Sequence, residues 1–316
     1  MGNDQGLNIR GLGHRFGDKT ALQDIEWSLP DRGVVGLVGP NGAGKTTLFS
    51  IIAGFLRLQR GTVEILGAPC PGHLSLVGKL AVMPQDAIFA SDVSILDQLL
   101  FLRSLDGVVG KQARDEVYGA MEKVGLSEEL GRGAAILSHG MGKRLGVAQA
   151  ILGSPELVLL DEPTAGLDPA NARQVREIIR DLGKRSLVIV SSHNLLELQE
   201  IIDQVAVIVE GQMVASGSVD EVTQRDRRFE IRIARSLTAE QEAVLRSCPR
   251  VQHLESLEDR LTVDLDASGE GGLDDSLTEL LSQMLKVGIP PRELREGASL
   301  EEAYLRLTGD SDPQQD

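Results

Sequence analysis

The sequence predicts an α/β core built round a parallel sheet, followed by a small α+β domain. Three observations predict it. Short continuous apolar runs end abruptly at Gly, Asp or Ser, and helical patterns separate one run from the next. Beyond residue 225 the pattern changes to alternating strands and amphipathic helices. A chain of 316 residues is also longer than the usual single domain. The reading is a first domain over 1–225, a second over 226–309 and a disordered tail, 310–316.

The elements follow in order. "ALQDIEWSLP" (21–30) and "GTVEILG" (61–67) alternate with period 2 and predict an antiparallel flap. "GVVGLVG" (33–39), "LAVMPQ" (80–85), "ELVLLDEP" (156–163) and "SLVIVSSH" (186–193) are continuous apolar strands, which suits a parallel sheet covered on both faces. Between them, helices are predicted over 45–56, 111–125, 142–152 and 170–183, giving the βα alternation of an α/β core. In the second domain "RFEIRIA" (228–234) is a strand. Thr238 and Gln241 have the spacing of a capping box that opens a helix. "RVQHLES" and "RLTVDLD" flank a turn at 257–259, "GLDDSLTELLSQMLKVG" (272–288) is helical, and "IPPRELRE" is a last strand before the helix "ASLEEAYLRLTG". The order βαββαβ predicts a ferredoxin-like split-βαβ domain.

Composition narrows the function. The net charge is −15, and most of the acidic excess lies after residue 225, which argues against nucleic acid as a partner. Cys70 and Cys248 are far apart and make neither a metal pair nor a disulfide framework. No run of about 18 apolar residues occurs, so no membrane span is predicted. The start "MGNDQGLNIRGLGHRFGD" lacks the apolar stretch of a secretory signal, and Gly6 stands where a myristoylation site needs Ser or Thr. A cytoplasmic protein is expected.

"GPNGAGKTT" is a phosphate loop: Gly39, Gly44, Lys45 and Thr46 hold the diagnostic positions after a strand. Pro40, Asn41, Gly42 and Ala43 complete the loop, and Thr47 follows it. Its backbone N–H groups can curl round phosphates at a helix N-terminus, where the dipole favours anions. Lys45 supplies a point charge and the Thr46 hydroxyl a ligand for Mg2+. Downstream, "LVLLDEP" delivers Asp161 and Glu162 together at the end of a strand, where open α/β sheets place their ligands. Asp161 is suited to hold Mg2+ through water, and Glu162 to polarise an attacking water as general base.

Together, "GPNGAGKTT", "MPQ", "LSHGM", "LLDEPTAGLD" and "SSH" resemble, in order, the motifs of the nucleotide-binding subunit of an ABC (ATP-binding cassette) transporter. The resemblance covers about residues 7–225. It implies a P-loop ABC ATPase cassette with a RecA-like α/β core, an antiparallel β flap and a helical signature subdomain. ATP and Mg2+ are the implied ligands. The resemblance also assigns roles. Gln85 matches the glutamine that senses Mg2+ and the γ-phosphate and touches the membrane partner. Phe16 matches the aromatic that stacks on adenine, Asp168 the loop that couples two cassettes, and His193 the histidine that links the γ-phosphate to Glu162.

In the family a second cassette closes over the nucleotide with a signature turn, usually Leu-Ser-Gly-Gly-Gln. Here it reads Leu137-Ser138-His139-Gly140-Met141. Ser138 can give its hydroxyl to the γ-phosphate, and Gly140 leaves the approach open. His139 and Met141 depart from the usual pattern at positions whose side chains can point away from the nucleotide. "GKRLGVAQA" and the ending "REGASLEEAYLRLTGD" resemble the branch of multidrug, polysaccharide and antibiotic exporters. The expected partners are a second copy of the chain, a separate transmembrane permease and an accessory protein at the C-terminal domain. Peripheral attachment to the cytoplasmic face of the membrane follows from the permease. A non-transport ABC ATPase of repair or translation is the alternative class, but no long coiled-coil insertion separates Lys45 from Asp161 and only one phosphate loop is present. An importer ATPase with a β-barrel tail fits the helical C-terminal pattern poorly.

Overall fold

Two five-residue strands, Leu157–Asp161 (β7) and Leu187–Ser191 (β8), are buried at every position. Strands apolar on both faces need cover on both, and the rest of the first unit supplies it. The computed structural model describes residues 5–70, 74–192, 198–223, 228–266, 272–296 and 304–305. The chain divides into two compact units, Met1–Ser216 and Gly217–Asp316.

In the first unit, β7 and β8 belong to a six-stranded sheet in the order β10-β9-β3-β8-β7-β6. Its other members are β3 (Gly33–Val38), β6 (Leu80–Met83), β9 (Gln204–Val209) and β10 (Gln212–Ser218). The pairs β3–β8, β3–β9, β6–β7 and β7–β8 are parallel. Glu210 and Gly211, both at positive φ, form the tight turn into β10. A second sheet, ordered β2-β1-β4-β5, is the expected antiparallel flap, with β1 (Gln5–Phe16), β2 (Lys19–Pro30), β4 (Arg60–Ile65) and β5 (Ala68–Cys70). Leu7, Ile9, Ile25 and Trp27 of the flap share one core with Ile51 and Ile52 of α1 (Lys45–Ile52) and with Leu159 and Ile189 of the parallel sheet.

The strand β1 has no period-2 signature in the sequence. Its pairing with β2 shifts register between Ile9 and Leu12 and again near His14, so the apolar positions fall out of alternation. Helix α1 stops four residues before the expected end. Gly54 takes φ 77°, the Phe55 amide donates to the Ser50 carbonyl at 2.8 Å, and the Gly54 amide donates to the Ile51 carbonyl at 3.1 Å. That double bond pattern closes a helix and turns the chain away.

Among the described residues this unit also holds α2 (Ile95–Leu105), α3 (Gly110–Lys123), α4 (His139–Ile151) and α5 (Pro169–Gly183). α3 packs on both α2 and α4, and α4 packs on β6 and β7, which seats the helical subdomain on one edge of the sheet. α4 begins three residues earlier than the sequence pattern predicts, because the Ser138 hydroxyl caps it by accepting the Met141 amide at 3.2 Å.

The second unit opens with a short helix, α6 (Val219–Thr223). Then come β11 (Arg228–Arg232), α7 (Ala239–Arg246), β12 (Val251–Leu257), β13 (Arg260–Leu265), α8 (Gly272–Lys286) and β14 (Glu293–Glu296). The sheet order is β12-β13-β11-β14 with antiparallel neighbours, the ferredoxin-like arrangement. Phe229, Ile231, Leu261 and Val263 on one sheet face pack with Leu245 of α7 and Leu280 and Met284 of α8. The Thr238–Gln241 capping box is present in both directions. The opposite face carries ion pairs, Arg228 with Asp264 and Arg260 with Glu230 at 2.7 Å. The expected final helix and tail lie outside the described residues, apart from Tyr304 and Leu305.

Candidate functional site

The loop between β3 and α1 is pressed against the rest of the core, and two glycines make that possible. A Cβ on Gly39 would stand 2.2 Å from the Ile208 carbonyl oxygen. Gly44, the residue that caps α1, takes φ 113°, and a Cβ there would meet the Ala21 carbonyl oxygen at 2.8 Å. The loop therefore closes on itself and leaves its amides at the start of a helix. Lys45 is 8% exposed and its ammonium donates to the Gly39 carbonyl at 2.7 Å and the Pro40 carbonyl at 3.2 Å. Burial pushes the Lys45 amine below its ordinary range, while the carboxylates of Glu162 and Asp161 pull it back up.

The Thr46 hydroxyl donates to one Asp161 oxygen at 3.1 Å, although the two residues lie 115 positions apart. The other Asp161 oxygen accepts the Ser191 hydroxyl, and Ser191 Oγ accepts the Glu162 amide at 3.0 Å. Glu162 has φ 51°, so the chain leaves the β7 direction at that residue. A cavity of about 440 Å³ lies over these groups. Asn41, Gly42, Gly44, Lys45, Thr46 and Thr47 line one side, with Gly39, Pro40 and Ala43 outside the lining. Asp161, Glu162 and Gln85 line the other, and Phe16, half exposed, stands in the same cavity. The Phe16 ring meets the His14 imidazole edge-on at 4.7 Å.

The donor set fits a nucleotide with Mg2+. Among the described residues no cluster of three or more His, Cys, Asp or Glu side chains could hold a metal by itself. A hydroxyl and one carboxylate instead suit a small hard cation that keeps waters and phosphate oxygens as its other ligands.

Three candidates stand apart from this cavity. Ser138 and Gly140 belong to the start of α4, and Ser138 lines a separate cavity of about 270 Å³ with His139, Phe89 and Lys143. Gln85 lines both cavities. Asp168 caps α5, accepting the amides of Ala170 and Asn171 at 3.1 and 3.0 Å, and these bonds hold its carboxyl below the usual range. Its contribution to stability is therefore full above the usual carboxylate range and is lost as pH falls through the lowered value. His193 lies outside the described residues. Two residues of the site were not singled out from sequence, Ser191 and Lys143. Ser191 stands inside the quoted "SSH" motif, so the signal was there; Lys143 had none beyond its place after the signature turn.

A family model described as "ABC transporter" matches residues 22–165. The ABC transporter ATP-binding protein sll0415 of Synechocystis is 38% identical over 67% of this chain and 60% of its own length. The bacitracin transport ATP-binding protein BcrA of Bacillus licheniformis is 33% identical, over 68% of this chain and 70% of that one. The linearmycin resistance ATP-binding protein LnrL of Bacillus subtilis is 28% identical over 96% of this chain and 98% of its own. A solved ATP-binding subunit of an ABC transporter superposes on 69% of this chain and 92% of its own with a TM-score of 0.64 at 24% identity, which speaks to the fold. A phosphate loop facing an Asp-Glu strand end, on this sheet and with these relatives, makes the chain a member of the ABC transporter family, as an ATP-binding subunit.

Proposed function

We propose that two copies of this chain bind ATP and Mg2+ between them and drive a separate transmembrane permease that exports an antibiotic-like compound. The observation that carries the nucleotide reading is the convergence of Lys45, Thr46, Asp161 and Glu162 on one cavity. Mg2+, when bound, neutralises charge on the phosphates. Glu162 takes the proton of the attacking water, Lys45 steadies the phosphates, and Phe16 stacks on the base. Export is supported by LnrL and BcrA, whose names state linearmycin resistance and bacitracin transport. No described helix is long and apolar enough to cross a membrane, in keeping with a permease on another chain. The cassette then sits against the cytoplasmic face of the membrane.

Loss of the Lys45 ammonium removes a charge-assisted bond, about 1.5–3 kcal/mol. Lys45→Ala is therefore expected to weaken ATP binding by about 10- to 100-fold, as read by calorimetry. Unchanged affinity would remove Lys45 from the phosphate site.

The permease reading has its own surface. Ile88 is 92% exposed just beyond Gln85, and Phe101 and Leu105 of α2 are more than half exposed, while Ile95 and Leu99 on the same stretch are buried inside the subdomain. The exposed set exceeds what the subdomain needs for its own core. Charges at Ile88 and Phe89 (Ile88→Asp with Phe89→Asp) should abolish co-purification with the permease and leave ATP affinity within about threefold, because neither side chain lines the nucleotide cavity. Retention of the permease by this variant would move the docking surface elsewhere.

A further inference from the structure

Lys143 carries a buried charge that none of the roles above uses. It is 7% exposed, in the second turn of α4. Its ammonium donates to the backbone carbonyl of Gln85 and, at 3.3 Å, to that of Glu162. Three segments far apart in sequence thus meet on one nitrogen: the loop after β6, the end of β7 and the helix capped by Ser138. Burial pushes the Lys143 amine below its ordinary range, and the carboxylates of Asp86, Glu162 and Asp161 push it back. A hydrocarbon of the same length would fill this place without the desolvation of an ammonium. What it could not do is bond the two carbonyls that both accept from the ammonium.

We propose that Lys143 is a positioning residue, whose ammonium ties the Gln85 loop to the Glu162 turn and ties both to the start of α4. The backbone atoms it holds belong to the two residues read above as γ-phosphate sensor and general base, so the proposal rests on that reading. Gln85 and Glu162 line the nucleotide cavity from two different elements, and the Lys143 ammonium bonds the backbone of each. Lys143 fixes their separation. Because Ser138 caps α4, contact made by that turn with a partner's nucleotide reaches Gln85 and Glu162 of the same copy through little more than one helical turn.

The test uses the full chain and two readings. Lys143→Met keeps the volume and removes the donors; Lys143→Arg keeps a cation with several donors. Amide hydrogen exchange without nucleotide should rise at least about 10-fold at 85–90 and 162–166 in the Met variant, with β3 and β8 protected as before. ATP turnover should fall at least about 10-fold in kcat with KM within about threefold, the mark of lost alignment rather than lost binding. Lys143→Arg should restore both readings to within about threefold of the parent. Unchanged turnover in the Met variant, exchange that rises uniformly across the unit, or an Arg variant no better than Met would each overturn the proposal. Should Lys143→Met fail to fold, Lys143→Gln, a shorter neutral amide that loses the charge, takes its place, with the same selective exchange and a smaller fall in kcat expected; full turnover there also overturns it. Normal turnover in Glu162→Gln sinks the general-base reading separately, so the two failures are told apart.

Discussion

Glu162→Gln should bind ATP as the parent chain does and turn it over at least about 10²-fold more slowly, the low end for losing a general base. The substitution is close to isosteric and changes one property, the ability to take a proton. The bonds that hold its backbone do not involve the carboxylate: its amide donates to Ser191 Oγ, its carbonyl accepts from Lys143, and its φ of 51° sets the direction in which the chain turns. Glutamine disturbs none of these. With nucleotide bound and no hydrolysis to release it, the variant should accumulate as an ATP-bound dimer. Phosphate release reads the rate and size-exclusion chromatography with ATP reads the dimer. Turnover near the parent's would take Glu162 out of the role, and the water would need another acceptor.

That residue and its neighbours were legible in the sequence for a physical reason. A phosphate loop needs glycines, a lysine and a hydroxyl at fixed offsets between a strand and a helix, and all of these are local. The Asp161–Glu162 pair is local too, at the end of an apolar strand. The capping box of α7 is legible on the same ground, since Thr238 and Gln241 satisfy one another's backbone within one turn. What escaped reading depends either on a local stop that competes with a longer apolar pattern or on partners remote in the chain. β1 hides because bulges take its buried residues out of alternation. The early end of α1 turns on Gly54 acting as a helix stop, which competes with an apolar pattern that runs on to Leu56. Lys143 reads as an ordinary basic residue on an amphipathic helix until Gln85, 58 residues before it, and Glu162, 19 after it, are brought to its amine. No local pattern encodes a bond whose ends meet only when the fold is complete.

Mixed dimers that carry Lys45→Ala and Ser138→Arg in two arrangements should differ in the ATP they trap. Within one copy, Lys45 lines the nucleotide cavity and Ser138 does not; Ser138 is exposed at the mouth of a separate cavity at the start of α4. In the proposed dimer a serine so placed acts on a phosphate held by the other copy, and its helix N-terminus is suited to receive one. Each complete site then takes Lys45 from one copy and Ser138 from the other. With both substitutions on one copy and none on its partner, each of the two sites is damaged once. With one substitution on each copy, both lesions fall in the same site and the other is intact. In a Glu162→Gln background, where hydrolysis no longer empties the site, the second arrangement should hold one ATP per dimer and the first close to none. Trapped nucleotide is counted after rapid removal of free ATP, so the result does not require that a dimer with one working site turn over. The reverse ranking, one ATP in the first arrangement and none in the second, means that each cassette completes its own site and that Ser138 reaches the γ-phosphate of its own chain.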